Sequence, residues 1–233
     1  MGADDWALQR ERERTRRLFN RAAPLFPILE RWLTPSYRYA LEVLALPTHL
    51  TVVDLGTGTG ALAGAFAARG HQVTGIDTAE RLLHRAARRL PGVTFKTMDL
   101  VDLPTLAGDS FDLVALAHVL HGVPAALRRL ALAEAGRIAR WGVVVIDYAG
   151  KPSWYIGLVE WLEGPHYRFW TRESLAALAA SAALEVERTV DLPGASACWL
   201  LRRRHPSALR PTPEECYQAG AGGCDAERQS GHR

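Results

Sequence analysis

From residue 50 onward the apolar positions fall into two alternating patterns. Short runs rich in β-branched residues, "LTVVDL", "HQVTGID", "VTFKTMD", "FDLVALA" and "VVVIDYA", are separated by Ala/Leu/Arg stretches with helical spacing. They predict strands at about 50–55, 72–77, 93–99, 111–117 and 142–149, with helices after most of them. "WGVVVIDYAG" is apolar on both faces, as a strand inside a covered parallel sheet must be. The result is an α/β layout with a parallel sheet. In "RLLHRAARRL", Leu82, Leu83, Ala86 and Leu90 share one helical face and the arginines lie largely off it, so the charge reads as a solvated face. "LEVERTVDLPGASACWLLRRR" reads as an antiparallel hairpin turned by Pro193-Gly194, an ending that a purely parallel dinucleotide-binding sheet does not need.

Ahead of the core, Trp6 to Arg17 is charged and helix-permissive. Pro27 to Leu46 is helical in pattern but carries Pro35, which predicts a break and hence two or three short helices. After Arg204 the chain turns to Pro, Gly, Ser and charge, and reads as a mobile tail that buries too little apolar surface to order itself. The expected organisation is an N-terminal helical segment 1–48, a core 49–204 with an aromatic insert at about 150–171, and a C-terminal tail 205–233.

Composition narrows the classes. No run approaches the ~18 uninterrupted apolar residues of a membrane span, and "MGADDWALQRERERTRR" has no apolar stretch behind its charges, so a cytoplasmic protein is expected. Cys198, Cys216 and Cys224 lack any close CxxC spacing, which argues against a disulfide framework and a structural zinc site; no metal is expected. Cys198 reads as a buried strand residue, Cys216 and Cys224 as solvated thiols. Net charge is +3 and Lys96 and Lys151 are the only lysines, so the scattered arginines read as a compositional bias; no nucleic-acid partner is expected.

The chemistry-bearing stretch is "VVDLGTGTGALAG". Val52 and Val53 complete a buried strand, Asp54 ends it, and Gly56, Gly58 and Gly60 let the backbone turn sharply against a ligand at the next helix's N-terminus. With Ala61 in the last position it also satisfies the GxGxxG/A fingerprint, which does not choose a cofactor. Asp77 closes the second strand, where a carboxylate can accept from both hydroxyls of a ribose. Asp99 follows the third strand, and Phe111-Asp112 enters the fourth.

With these elements in this order, over about Thr51 to Arg204, the chain resembles the class I S-adenosylmethionine-dependent methyltransferases of the broad group that methylates small molecules. The resemblance implies a Rossmann-like three-layer fold, a mostly parallel seven-stranded sheet in the order 3-2-1-4-5-7-6 ending in an antiparallel β-hairpin. It implies that S-adenosylmethionine is the cofactor. Gly56, Gly58 and Gly60 would line its methionine and ribose part, Asp77 would hold the ribose hydroxyls, and Asp99 would face the adenine amino group with Met98 and Leu100 beside the ring. Ala117 and His118 would close the pocket, and Asp54 would approach the methionine ammonium directly or through water. Each acid also has a plain reading as a helix cap or turn residue.

Residues after strands four and five can meet the methyl acceptor. Among His118, His121, Asp147, Tyr148, His166, Tyr167 and Arg168, His121 is the first choice as a base, with a loop histidine capping the helix at Pro124 as the alternative. No N-P-P-Y-like sequence follows strand four, which in related enzymes marks nitrogen acceptors, so the resemblance favours an oxygen or carbon of a small apolar or aromatic acceptor. "LFNRAAPLFPILERWLTPSYRYALEVLAL" is similar to the segment preceding the core of ubiquinone/menaquinone-biosynthesis C-methyltransferases; Phe19, Ala23 and Phe26 keep its spacing, while Phe26 and Pro27 replace its usual tyrosine and aspartate. Phe19, Tyr148, His166 and Tyr167 are the candidate acceptor contacts. "KPSWYIGLVEWLEGPHYRFWTRESL" could roof an apolar acceptor or touch a membrane surface transiently, or pack ordinarily on the core. An NAD(P)-dependent oxidoreductase, a non-catalytic cofactor-binding homologue and an RNA or protein methyltransferase stay open as alternatives, as does the oligomeric state.

Overall fold

A computed structural model describes residues 10, 13, 16, 17, 20, 21, 26–150 and 168–204. In chain order the elements are α1 (Phe26–Leu44), β1 (Thr51–Leu55), α2 (Ala61–Ala67), β2 (Gln72–Asp77), α3 (Glu80–Arg89), β3 (Thr94–Thr97), a 3-10 turn (Leu100–Thr105), β4 (Phe111–Ala117), α4 (Ala125–Ile138), β5 (Ala139–Tyr148), α5 (Arg172–Ser181), β6 (Leu184–Leu192) and β7 (Ser196–Arg203). The strands form one seven-stranded sheet in the order β3-β2-β1-β4-β5-β7-β6. β1 to β5 run parallel, and β7 is antiparallel to both β5 and β6. The sheet order is as the family resemblance implies, and the terminal hairpin and the burial of Cys198 in β7 are as the sequence pattern predicts.

Period-two alternation divides each central strand between two apolar layers. Val53, Val114, Leu116, Val143, Val145 and Trp199 pack with α4 and α5 through Leu132, Ile138 and Leu175. Their neighbours Val52, Leu113, Ala115, Val144, Ile146 and Cys198 pack on the other side with α1 and α2 through Tyr37, Leu41, Leu62 and Phe66. Both faces are therefore covered, which is why "VVVI" carries no polar alternation. In α3, Leu82, Leu83 and Ala86 are buried as the helical spacing predicts.

Two expectations are corrected. Pro35 does not break the N-terminal segment: α1 runs unbroken from Phe26 to Leu44 with Pro35 inside it. Pro35 and Arg31 are both exposed, so the carbonyl that loses its helical N–H partner faces water, and the buried Tyr37, Ala40, Leu41 and Leu44 hold the helix in place. These residues pack against α2 and one face of the sheet. β5 begins at Ala139 rather than near residue 142. Asp112 explains the early start: its carboxylate accepts from the Thr51 amide and hydroxyl at 2.8 and 2.7 Å and pairs with Arg140 at 2.8 Å, clamping the entries of β1, β4 and β5 together. The Thr51 hydroxyl and amide, with Arg140, hold its carboxyl below the usual value. The aspartate of the Phe111-Asp112 entry is therefore a structural pin at the end of the sheet opposite the glycine turn.

The tail 205–233, with Cys216 and Cys224, lies outside the described residues, as do Trp6, Phe19, Ala23 and 151–167. Among the described residues no helix is long and apolar enough to cross a membrane.

Leu116 sits at 0% exposure in the layer beneath α4 and leads directly into the turn after β4. Leu116→Ala is expected to cost about 2–5 kcal/mol by leaving a cavity, read as a lowered urea midpoint at unchanged slope.

Candidate active site

β1 ends in a left-handed turn, with Gly56, Gly58 and Gly60 at φ 71°, 53° and 79°. The amides of Gly56 and Thr57 donate to the Ile76 carbonyl at 2.8 and 3.0 Å, which ties the turn to β2. A Cβ on Gly56 would fall 2.5 Å from Cγ2 of Val119, so only glycine lets this backbone approach the turn after β4. A Cβ on Gly58 would meet nothing within 4 Å, leaving its face of the turn open.

Asp77 stands at the end of β2 and accepts the Gly58 amide on Oδ2 and the Ala79 amide on Oδ1, each at 2.8 Å. It fulfils the plain turn-residue reading, and each oxygen retains acceptor capacity for a further donor. Burial pushes its carboxyl up, against the pull of the Ala79, Gly58 and Thr78 amides. The Met98 amide donates to the Asp77 carbonyl at 3.1 Å, bringing Met98, Asp99 and Leu100, all partly buried, to the same edge. Ala117 is the last residue of β4 and is likewise partly buried.

Asp54 is 1% exposed. Its Oδ2 accepts from the Thr57 hydroxyl at 2.7 Å, whereas Oδ1 has no hydrogen-bond partner. Burial drives the carboxyl up to about 7, only partly offset by the Thr57 hydroxyl and the Ala63 amide and reinforced by the nearby Asp77.

Beyond β4 the backbone of His118 is itself left-handed, at φ 53°, and its amide donates to the Ile146 carbonyl at 2.7 Å. His121 is 5% exposed, in the turn ahead of α4, whose N-cap residue is Pro124. It is held by Asp147, which is wholly buried: Asp147 Oδ1 lies 2.7 Å from His121 Nδ1 and Oδ2 accepts the His121 amide at 3.0 Å. Burial alone pushes Asp147 up, but the attraction and hydrogen bond of His121, the neighbouring His118 and the Tyr148 amide outweigh it, so the carboxyl lies below its usual value. An ionised Asp147 can only accept, which places the proton on His121 Nδ1 and the lone pair on Nε2. His118 Nδ1 stands 3.9 Å from Asp147 Oδ1 with no hydrogen-bond partner; burial lowers His118 to about 4, against the pull of Asp147.

Aromatic rings surround the pair. Tyr148 lies 4.5 Å from the His118 ring and 4.9 Å from that of His121, with Phe169 at 6.0 Å from Tyr148 and Tyr37 of α1 at 6.0 Å from His118. The structure thus brings His118, His121 and Tyr148 together, while Phe19, His166 and Tyr167 lie outside the described residues. Tyr37, and Asp147 as the partner of His121, are what the sequence reading misses. Asp147 had a positional signal, the end of a strand facing the site, but its partner lies 26 residues away.

A methyltransferase-domain family model matches residues 52–142, from β1 into β5. The trans-aconitate 2-methyltransferase of Acidovorax ebreus (strain TPSY) is 32% identical over 192 residues, covering 76% of this chain and 71% of that protein. The demethylmenaquinone methyltransferase of Clavibacter sepedonicus is 35% identical over 106 residues, covering 43% and 42%. The crystal structure of magnesium protoporphyrin IX methyltransferase from Synechocystis PCC 6803 with bound SAH shares the fold, with a TM-score of 0.59 at 19% identity over 74% of this chain and 82% of that one. The chain belongs to the class I S-adenosylmethionine-dependent methyltransferases. S-adenosylmethionine is therefore its cofactor, and the nicotinamide alternative falls away. The residues present fit that molecule: an acidic oxygen with no partner lies beneath the turn, and the turn is open at Gly58.

Gly56→Ala is expected to weaken S-adenosylmethionine binding at least about tenfold, since the new methyl group must displace Val119 and the left-handed φ adds strain. Calorimetric titration of Gly56→Ala beside Gly56→Ala/Val119→Ala should return part of the loss in the double variant, the steric part; identical losses would show that Val119 is not the obstacle.

Proposed function

We propose that the enzyme transfers a methyl group from S-adenosylmethionine to an oxygen or carbon of a small aromatic or apolar acceptor, with His121 taking the acceptor's proton. The buried Asp147–His121 pair at the carboxyl edge of β4 and β5 carries this reading. Val119, between the two histidines, touches the glycine turn, so the pair belongs to the edge where the cofactor sits. In this reading Gly56, Gly58 and Gly60 line the methionine and ribose part, Asp77 takes the ribose hydroxyls, and Met98, Asp99, Leu100, Ala117 and His118 enclose the adenine side. Asp54 meets the methionine ammonium. The organisation into a helical cover 1–48, a core 49–204 and a tail 205–233 is part of the same proposal.

When bound, the cofactor supplies an activated sulfonium methyl, so the protein's task is alignment, exclusion of water and removal of a proton where the acceptor has one to lose. Asp147 fixes the tautomer that puts the accepting lone pair on Nε2 of His121. The rings of Tyr37, His118, Tyr148 and Phe169 suit a planar acceptor. A second reading, esterification of a carboxylate, draws on Arg128 and Arg168, whose guanidinium carbons lie 5.5 and 5.3 Å from the Trp170 ring, and on the trans-aconitate named for a relative.

The two readings separate in one assay, with methyl-labelled S-adenosylmethionine and fractionated extract as the acceptor source. The proposal expects label that survives mild alkali and a rate lowered about 10²–10⁴-fold in His121→Gln. Label released as methanol, with His121→Gln unimpaired, would establish the ester reading instead.

A pH effect follows from Asp54. Its folded pKa of about 7 exceeds the ordinary 3.8, so between those values the folded protein binds the extra proton and cofactor-free stability falls as pH rises. Cofactor affinity should move oppositely, strengthening as pH rises through about 7 and Asp54 ionises against the ammonium. Asp54→Asn should raise cofactor-free stability at pH 8 while weakening and flattening the affinity profile; an unchanged profile would remove Asp54 from the cofactor site.

A further inference from the structure

The turn after β4 and the end of β5 bring together donors that the proton-accepting role of His121 does not exhaust. One ligand atom each from His118, His121 and Asp147 lies within 4.8 Å of the others. The His121 Nδ1 to Asp147 Oδ1 separation is 2.7 Å and that from His118 Nδ1 to the same oxygen is 3.9 Å. A four-coordinate zinc ion holds nitrogen and oxygen ligands at about 2.0–2.2 Å, which sets neighbouring donors roughly 3.3 Å apart. The two observed separations lie about 0.6 Å to either side of that spacing, within the reach of small side-chain rotations. His118 adds a second observation. Its Nδ1 is enclosed and has no hydrogen-bond partner, and its ring is carried on a left-handed backbone that a non-glycine residue adopts only under constraint.

We propose that His118 Nδ1, His121 Nδ1 and Asp147 form a binding site for one divalent ion of the zinc class, with a fourth position left for water or an acceptor oxygen. Two imidazoles and one carboxylate select a borderline-soft d-block ion over magnesium or calcium, which prefer all-oxygen shells. The ion replaces the proton between His121 Nδ1 and Asp147 Oδ1, and that proton moves through solvent to Nε2, so the imidazole stays neutral. The ring then carries its single proton on Nε2 and can no longer accept one. Binding of the ion and proton acceptance by His121 therefore exclude each other, so the ion inhibits methyl transfer; this last consequence rests on the function proposed above.

The test uses full-length protein carrying Cys216→Ser and Cys224→Ser, which removes competing thiols, stripped with a chelator. Equilibrium dialysis and thermal melting are expected to show one Zn²⁺ per chain and a raised Tm, with no response to Mg²⁺ and affinity reduced at least about tenfold in His118→Ala. Co²⁺ in the protein with His118 intact should give the visible absorption of a low-coordinate site, a readout independent of how well the variant folds. No retained zinc, absent cobalt bands, or binding undiminished in a folded His118→Ala protein would each overturn the site. These measurements need no acceptor, so they stand apart from the fate of the proposed reaction. In the labelled-methyl assay Zn²⁺ should slow transfer and a chelator restore it, whereas acceleration by Zn²⁺ would overturn the exclusion.

Discussion

The left-handed turn that closes β1 sets the terms for the rest of the molecule. Its amides bind the Ile76 carbonyl, and its backbone runs so close to the Val119 side chain that a Cβ at Gly56 would have to displace it. Once that approach is fixed, the neighbouring positions follow through short polar contacts: Asp77 is held by the Gly58 amide, Met98 by the Asp77 carbonyl, and His118 by the Ile146 carbonyl. The parallel registers of β1, β2, β4 and β5 bring all of these to one edge.

Two buried carboxylates at that edge behave oppositely, and the contrast is informative. Asp147 is surrounded by donors and is held below its usual value; Asp54 has one hydroxyl partner and one bare oxygen, and is raised to about 7. The first has donors from the chain on both of its oxygens. The second is relieved by taking up a proton or by meeting an added cation.

The apolar runs made the strand positions legible, because a strand covered on both faces must be apolar on both, as "VVVI" is, whereas the strand order followed from the family resemblance. Gly56 and Asp77 were legible because sharp turns restrict residue type. Pro35 misled because helix propensity ignores packing: Tyr37, Ala40 and Leu41 find partners on α2 and the sheet that local sequence does not disclose. The partnership of His121 with Asp147 spans two strands, and no spacing rule encodes it. Asp112, legible only as part of the entry to the fourth strand, is a clamp at the far end of the strands.

The sheet's two edge strands differ in length but share one property. β3 is four residues long and carries the exposed Lys96; β6 carries Glu185, Glu187 and Arg188, with an irregularity in register between Val186 and Arg188. A short or bulged, charged edge is a poor template for another strand. Self-association by continuing the sheet from one copy to the next is therefore disfavoured at both of the described edges, which leaves the helices and loops as the more open surface for contact between copies.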